Sequence, residues 1–243
     1  MARSIELPRL LCFVLFALVL IAVFATPSAY AQQTYITKYD AFVGYTYFNS
    51  PSISLNQKGV HLQVGMRQRK WYSLGFDYSN AVGDMTLTPE LLPDALQATL
   101  SGQLRALAAA GRLPAGYALA VKADARTQTF AAGPQLAYRG WKALTPFIRP
   151  SMGAIYEVAT PKPSDPIATA IVNGLAPEGK KHDWQGFYGV GGGFDVNFSK
   201  HYAVRIQADW VYDHLFDDLL KNGRQTVRFS VGPAFNFGRN IAQ

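Results

Sequence analysis

Large apolar side chains alternate with small or polar ones, at a period of two, in eight separate segments of the chain. The last segment, residues 227–237, is the clearest: Val227 and Phe229 lie on one face, Arg228 and Ser230 on the other. Successive side chains of a β-strand point to opposite faces, so this period predicts strands. The other segments are residues 41–48, 60–67, 72–79, 129–139, 147–156, 188–197 and 204–212. The pattern predicts an all-β fold.

The apolar face of these segments carries large aromatic side chains, and the opposite face is small or polar. A soluble β-sandwich and a lipocalin-like soluble barrel also alternate, but both use the apolar face as their packed core. The interior of an eight-stranded barrel is too narrow for so many Tyr, Phe and Trp rings. We therefore expect the aromatic face to point outward into lipid and the small or polar face to line the lumen.

The lengths of the connections alternate between long and short along the chain. The long ones are about residues 49–57, 80–124, 158–183 and 213–224, and the short ones about 68–70, 140–143 and 199–201. Transmembrane barrels combine short periplasmic turns with long external loops. The sequence thus predicts an eight-stranded antiparallel up-and-down transmembrane β-barrel with external loops at the long connections. Both chain ends lie on the periplasmic side, and the last strand closes against the first.

The N-terminal segment has the pattern of a secretory signal. Two arginines precede an apolar run over residues 10–24, and the small residues Ala29 and Ala31 follow it. A basic start, an apolar core and an A-x-A ending are typical of a cleaved signal peptide. We expect residues 1–31 to be removed and residues 32–243 to form the barrel domain. An uncleaved membrane anchor is the alternative, although the run is short for a span of about 20 residues.

Removing residues 1–31 leaves a mildly basic chain without cysteine. The formal net charge falls from +7 to +6, with 21 basic against 15 acidic residues, and the single cysteine, Cys12, is lost. A disulfide framework is then excluded. The basic residues form no cluster of the kind that binds nucleic acid. We expect no nucleic-acid partner, and an affinity for anionic lipid headgroups fits the charge equally well.

Several segments resemble the outer membrane protein β-barrel domain family of OmpA-like and OmpX-like eight-stranded barrels. The resemblance rests on residues 43–48, 189–196, 203–209 and 227–237, and it covers about residues 38–238. It implies location in a bacterial outer membrane and insertion by the assembly machinery, which recognises a terminal aromatic strand. Phe237 matches that terminal signal. The chain departs from the pattern because a short tail to Gln243 follows Phe237.

Seven charged residues fall on the inward face of the proposed strands. Buried charges are tolerable only when they are paired. We expect a polar network that fills the narrow lumen and leaves no open pore; the alternative is that some members lie near the mouths and are solvated. The network comprises Arg67, Asp77, Arg149, Asp195, Arg205, Asp209 and Arg228.

Aromatic residues on the outward face gather near the ends of the strands. Such positions suit the girdles of a transmembrane barrel, where a ring has one apolar and one wet end. The predicted lipid-interface set is Tyr47, Tyr72, Tyr78, Tyr138, Tyr156, Trp210 and Tyr212.

Two prolines interrupt segments that otherwise look like central strands. Pro134 and Pro233 each remove a donor from the hydrogen-bond ladder. Each follows a glycine, so bulges or bends are expected at these two points.

Two stretches of the long loops are apolar. Leucines near helical spacing run from Leu92 to Leu107, with prolines before them and Gly111 after them, which favours a helix. Residues 167–175 form a second, shorter apolar stretch. The two could pack together as a cap over the mouth or bind a partner or lipid; the alternative is a plain variable loop.

The sequence assigns no catalytic, cofactor-binding or metal-binding residue. Enzymes among small barrels that act on acyl chains need a serine activated by a histidine. His61 points inward and His214 lies beside Asp213, but no His–Ser pair of that kind is evident. We therefore expect a monomeric, non-enzymatic outer membrane barrel, without cofactor, for envelope structure or surface interaction. The alternatives are an enzyme acting on lipid A or phospholipid acyl chains, and a narrow channel or carrier of a small hydrophobic ligand.

Overall fold

The computed structural model describes residues 33–221 and 223–242, so the predicted signal peptide lies outside the described part of the chain. Eight strands form one closed antiparallel barrel in which each strand pairs with its neighbour in sequence and the last closes against the first. This confirms the fold class and all eight predicted strands. Their bounds are Thr37–Ser50 (β1), Leu55–Arg67 (β2), Tyr72–Leu87 (β3), Val121–Ala137 (β4), Leu144–Lys162 (β5), Lys181–Asn197 (β6), Tyr202–Asp213 (β7) and Arg224–Asn240 (β8).

The connections keep the predicted order, and they define two ends of the barrel. The turn end carries the short connections, residues 68–71, 138–143 and 198–201. The loop end carries residues 51–54, 88–120, 163–180 and 214–223. The last three are longer than any turn, whereas the first, predicted as a long loop, is as short as two of the turns. The predicted loop bounds were too wide, because several strands continue past the last outward aromatic residue.

These extensions were missed because the apolar face changes sides within a strand. In β4, Phe130 points outward, but nearer the loop end Ala123 and Ala125 point inward while Lys122 and Asp124 face solvent. The period of two is unbroken and only its phase inverts. The inversion marks the height at which the outer face leaves the apolar surroundings, since a water-exposed strand buries its apolar side chains inside.

A continuous belt of exposed apolar side chains surrounds the middle of the barrel. Met152, in the middle of the outer face of β5, is 72% exposed. A contiguous apolar surface of this size is unfavourable in water and is typical of a membrane-spanning barrel. Other members of the belt are Val43, Tyr45, Val60, Leu62, Val64, Leu74, Phe76, Ile148, Tyr188, Val190, Phe229 and Val231.

Aromatic rings line both edges of this belt. At the turn end Tyr39 stacks on Phe237 with ring centroids 5.7 Å apart. At the loop end a chain of rings runs through Tyr78, Phe130, Trp184 and Tyr156, with successive centroid separations of 5.0, 6.0 and 5.8 Å. All seven predicted interface aromatics point outward; their contact with lipid headgroups stays a prediction. Tyr72 and Tyr138 lie at the turn end, and Tyr47, Tyr78, Tyr156, Trp210 and Tyr212 lie toward the loop end.

The predicted bulges at the two strand prolines are absent from the described ladders. The β4–β5 ladder skips from Ala132 to Leu136 around Pro134, and the β1–β8 ladder skips residues opposite Pro233, but the register is the same on both sides of each gap. The expectation of bulges was therefore wrong. Each proline lacks a pairing partner on one side of its strand and is paired on the other side, Pro134 with Leu74 and Pro233 with Val204.

Two helices lie in the long loops, which confirms the predicted helical segments. The first, α1, spans Asp94–Ala109. Gly111 follows it with a φ of 68°, a conformation that glycine adopts without strain. The second, α2, spans Pro166–Leu175. Asp165 caps α2 by accepting a 2.8 Å hydrogen bond from the Ala168 N–H, which holds the pKa of Asp165 below its ordinary value. Neither helix of the described chain is long and apolar enough to span a membrane.

The C-terminal tail is an ordered part of the barrel. Strand β8 runs on to Asn240, and the Asn240 side chain accepts a hydrogen bond from the Ile36 N–H at 2.9 Å. The Ile241 N–H donates to the Ile36 carbonyl at 2.7 Å. The tail after Phe237 thus fixes the residues that lead into β1. The role of Phe237 in assembly stays a prediction.

The belt predicts that a charge in its middle is far more costly than one beyond its edge. Met152→Arg should lower the free energy of unfolding by about 2–4 kcal/mol, because an arginine at the bilayer midplane carries a penalty of that size. Thr160→Arg, on the same face of the same strand but past the belt, should change it by less than about 1 kcal/mol. Urea titration in lipid vesicles, followed by tryptophan fluorescence, measures both. Equal effects of the two substitutions would contradict a membrane position for the belt.

Candidate functional site

The lumen is filled by charged side chains in three groups stacked along the barrel axis. The turn-end group is Asp40, Arg67, Arg139, Asp195 and Arg205; the middle group is Asp77, Arg149, Asp209 and Arg228; the loop-end group is Glu157, Asp213 and Arg224. All these side chains are buried. These side chains point inward because successive residues of a strand face opposite sides, and each charged residue alternates with outward residues of the apolar belt.

Arg205 is the centre of the turn-end group. Its Nε and Nη2 donate to the two carboxylate oxygens of Asp195 at 2.7 and 2.9 Å, and its Nη1 donates to Gln63 at 2.6 Å. Its Nη2 also lies 3.2 Å from Asp40, which contacts Arg67 at 3.4 Å. A bidentate arginine–carboxylate pair is the strongest of these arrangements and fixes both side chains.

Aromatic rings occupy the space between the buried charges. The Arg205 guanidinium lies 5.0 Å from the ring centroid of Phe147 and 5.7 Å from that of Phe42. Arg228 lies 5.9 Å from the ring of Phe48. These are cation–π distances, which favour a cation removed from water. The sequence interpretation placed the aromatics outward as a class and missed this inner set.

The middle group is a second closed network. Asp77 contacts Arg149 at 2.7 Å and Arg228 at 3.6 Å, and the Nε of Arg228 donates to Asp209 at 2.8 Å. Gln207 donates to the same Asp209 oxygen at 2.9 Å. Two arginines therefore face two carboxylates in the centre of the barrel, and their side chains cross the lumen from different strands.

A His–Ser pair does exist in the middle of the barrel, contrary to the expectation from the sequence. The Nδ1 of His61 lies 3.0 Å from the hydroxyl oxygen of Ser230, and the Nε2 lies 3.8 Å from Asp77. Sequence reasoning missed the pair because β2 and β8 are not adjacent; only the curvature of the barrel brings the two side chains together. His61 is 0% exposed. Ser230 is buried as well, so the pair is enclosed within the lumen.

The loop-end group was missed because its members lie beyond the ends of the predicted strands. Arg224 donates to Glu157 at 2.8 Å and to Asp213 at 3.3 Å, and the Thr127 hydroxyl donates to Glu157 at 2.6 Å. Asp40 and Arg139 were likewise omitted, at the opposite end. Extending the period of two beyond the apolar belt would have found Asp40 and the loop-end group, whereas Arg139 already lay on the inward face of the predicted segment 129–139. The seven residues that were predicted are all buried in the lumen of the described barrel.

An apolar plug closes the loop end. Leu215, Phe216 and Leu220 of the last loop pack into the mouth against inward side chains such as Met85 and Ile155. Phe216 has a positive φ of 56°, which costs a non-glycine residue conformational energy. Its N–H donates to the Asp183 carboxylate at 2.6 Å, which holds this geometry. The loop is also tied to its neighbours by Lys221–Asp94 and Lys181–Asp218 ion pairs.

A small apolar cavity lies between the plug and the two helices. Its volume is about 80 Å³, and its lining includes Leu100 of α1 and Val172 of α2, both buried. Thr88 and Lys181 are the only polar residues among its described lining residues. Side chains of both helices thus line one apolar cavity over the loop end, and we call these two helices the cap; whether they bind a partner or lipid stays a prediction.

A strap of extended chain crosses the turn end. This N-terminal strap, residues 33–36, leads away from β1, and the Gln33 side chain donates to Thr145 at 2.7 Å and to the Trp141 carbonyl at 3.0 Å. Both acceptors belong to the β4–β5 region, on the far side of an eight-stranded barrel from β1. The strap therefore spans the mouth. Its Ile36 side chain is buried. The described residues include no cluster of His, Cys, Asp or Glu that could hold a metal ion.

The closed up-and-down barrel, its exposed apolar belt and its charged lumen define an eight-stranded transmembrane β-barrel. Neisserial surface protein A has this fold: the TM-score is 0.50 at 9% identity, over 82% of this chain and 96% of that one. Ail of Yersinia pestis, solved with the heparin analogue sucrose octasulfate, gives a TM-score of 0.47 at 12% identity, over 83% and 99% of the two chains. OprG of Pseudomonas aeruginosa gives 0.46 at 11% identity, over 86% and 99%. The resemblance to OmpA-like and OmpX-like barrels is confirmed as a likeness of fold.

The comparisons by sequence give no relative. No family model matches the chain, and no curated protein matches it. What the chain does is therefore inferred from its own residues.

The lumen network predicts a large difference between buried and exposed carboxylates. Asp195→Asn should lower the free energy of unfolding by about 3–5 kcal/mol, because it leaves Arg205 buried with an incomplete partner. Asp124→Asn removes the carboxylate of an exposed 2.5 Å pair with Lys162 and should cost less than about 1 kcal/mol. Urea unfolding of both variants in the same vesicles measures the difference. A cost below 1 kcal/mol for Asp195→Asn would show that the pair does not stabilise the barrel.

Proposed function

We propose that the protein is a non-conducting, non-enzymatic barrel of a bacterial outer membrane that acts through the cap at its loop end. One observation carries this proposal: the lumen is blocked in its middle and at its loop end. The strap crosses one mouth, three ion-pair groups fill the interior, and an apolar plug fills the other mouth. Such an interior supports a role in envelope structure or surface interaction, since the outer face and the cap remain as contact surfaces.

The closed lumen argues against the narrow-channel alternative. An ion that crossed the barrel would have to displace buried arginine–carboxylate pairs such as Arg149–Asp77, at 2.7 Å. Each pair is held by partners from different strands, so opening one requires several side chains to move together. Buried pairs of this kind lose several kcal/mol when a partner is removed.

Planar-bilayer recording tests the proposal. Protein extracted with detergent from the outer membrane fraction should give no stable open level at moderate voltage. The double variant Arg149→Ala/Arg228→Ala, which removes the two cations of the middle group, should give measurable conductance or fail to fold. A steady, voltage-independent conductance of the unaltered protein would overturn the closed-lumen proposal. Recovery of the protein in the soluble periplasmic fraction would overturn the membrane location.

The enzyme alternative is weakened by the surroundings of both candidate histidines. His61 is enclosed by the middle group, and the exposed His214 contacts the Tyr212 hydroxyl at 3.4 Å rather than a serine. The neighbouring Asp213 is already bound to Arg224. The same purified membranes give a second readout: lipid A and phospholipid acyl composition should be unchanged by Ser230→Ala and by His214→Ala. A change in acyl composition with either variant would support the enzyme alternative.

Binding of a small hydrophobic ligand is a second candidate, favoured by the apolar cavity under the cap. The cavity has the composition of a site for part of an alkyl chain, because Thr88 and Lys181 are the only polar residues among its described lining residues and Lys181 is paired with Asp218. Its volume of about 80 Å³ fits a short chain segment rather than a bulky ring system. The occupant we consider is therefore the end of a fatty acyl chain, with the rest of the chain outside the cavity.

A fluorescent fatty acid tests this candidate. Val172→Gln places an amide in the cavity and should weaken binding of cis-parinaric acid about tenfold or more, because burying an unpaired amide costs about 1–3 kcal/mol. Asn173→Gln, on the exposed side of the same helix, is the matched control and should bind like the unaltered protein. Equal binding by the two variants would assign the signal to detergent or to the outer belt, and would exclude the cavity as the site.

A further inference from the structure

A polar basin lies beneath the strap at the turn end, separate from the cap. It has a volume of about 560 Å³ and is walled on one side by the strap and on the other by the β4–β5 and β6–β7 turns. The strap's Tyr35 packs edge-on against His201, with ring centroids 5.9 Å apart. The basin is enclosed on several sides, is too large for one or two waters, and belongs to no part of the function proposed above.

Basic residues dominate the basin. Arg67 and Arg139 line its floor, and Lys142 and Lys200 line its rim. The one carboxylate among its described lining residues, Asp195, already accepts hydrogen bonds from the Nε and Nη2 of Arg205. Among the described residues, no carboxylate lies within ion-pair distance of Arg139, Lys142 or Lys200.

Arg139 is the unusual member of this set. Its side chain is only 8% exposed, yet its only hydrogen bond within the described chain is donated by Nη1 to the Lys70 carbonyl. A buried guanidinium without a carboxylate partner is costly. Arg139 is one of the residues that line the basin. Arginine presents several N–H donors in a planar fork that matches the oxygens of a phosphate or carboxylate.

The excess of positive charge is confined to this end of the lumen. The turn-end group has three arginines against two carboxylates, whereas the middle group has two of each. The loop-end group has one arginine against two carboxylates. The lumen as a whole is therefore balanced, and the turn end alone lacks one negative charge. An anion in the basin would supply it.

We propose that the basin binds a phosphate monoester, with Arg139 as its principal ligand. Three cations without a carboxylate partner among the described residues, Arg139, Lys142 and Lys200, line one space, and they match the two negative charges of a phosphate monoester better than the single charge of a carboxylate. The Asn197 and Asn236 side chains in the lining add polar groups for further hydrogen bonds. The volume exceeds that of phosphate alone and leaves room for a glycerol-sized or sugar-sized substituent.

Calorimetric titration with phosphate compounds tests the proposal. The protein, expressed from its full coding sequence and purified in octyl glucoside at low ionic strength, is titrated with inorganic phosphate and with glycerol phosphate. Saturable binding of both is expected, with glycerol phosphate at least as tight. Absence of saturable heat with both compounds would overturn the proposal.

Two variants locate the site. Arg139→Gln removes the buried cation but keeps a donor for the Lys70 carbonyl, and it should weaken phosphate binding about tenfold or more. The double variant Lys142→Gln/Lys200→Gln changes only exposed side chains and should fold even if Arg139→Gln does not. It should weaken phosphate binding by a smaller factor than Arg139→Gln. Arg105→Gln, an exposed arginine of α1 at the other end of the barrel, is the matched control. Binding that survives both the Arg139 and the double lysine substitutions would place the phosphate elsewhere and overturn the assignment.

A third measurement separates the two sources of such a group, a soluble metabolite and a lipid headgroup. The titration with glycerol phosphate is repeated in nanodiscs of phosphatidylcholine alone and of phosphatidylcholine with phosphatidic acid. Competition by phosphatidic acid that is lost in Arg139→Gln assigns the basin to a headgroup. Unchanged binding in both nanodiscs assigns it to a soluble phosphate. If phosphatidic acid competes equally in Arg139→Gln and in the control, the effect is general surface charge and the basin is not the site.

Discussion

Closure of the sheet, β1 against β8, is the constraint on which the rest of the structure depends. In lipid no water is present to pair with a free N–H or C=O, so a sheet can cross the bilayer only if it has no edge. Once the sheet is closed with eight strands, two surfaces are fixed by the period of two. The outer one must be apolar over the height of the membrane, and the inner one encloses a space too narrow for large rings from every strand. The turn end completes the closure, because Asn240 at the end of β8 binds the backbone of Ile36 just before β1.

The narrow interior explains why the lumen is built from ion pairs and not from an apolar core. Most inward positions in the middle of the barrel are small or polar, long charged side chains reach across the axis, and a few rings such as Phe48 pack between them. Arg228 spans this gap between Asp77 and Asp209, which come from different strands. Removing one partner of such a pair is much more costly than replacing the whole pair. The network therefore specifies one arrangement of the strands as well as filling the space, and the Ser230 hydroxyl beside His61 belongs to this packing.

The barrel was predictable from the sequence because its signal is local, and the site was predictable only in part because its signal is not. Phe229 and Arg228 show within two residues which face meets lipid, so the strands and their order follow. The boundary of the apolar belt was harder to predict from the sequence. Between Phe130 and Ala125 the apolar face changes sides, and a search for one uninterrupted apolar face stops there. Glu157, Asp213 and Arg224 were lost for that reason. The contact of His61 with Ser230 depends on curvature, which no pattern along one strand contains.

The charge of the lumen changes along the axis in a way that pairing alone does not explain. A network selected only to fill space would be neutral at each height, as the middle group is, because each unpaired buried charge carries a desolvation cost. Here the loop end has one carboxylate in excess, and the turn end has one arginine in excess. The loop-end carboxylates are offset by hydrogen bonds: Thr127 donates to Glu157, and the Leu215 N–H donates to Asp213. Arg139 contacts no carboxylate among the described residues, and the only hydrogen bond of its side chain there is donated to a backbone carbonyl. The uncompensated charge faces an enclosed basin of about 560 Å³. The asymmetry is therefore better explained by something that enters the basin than by the stability of the barrel itself.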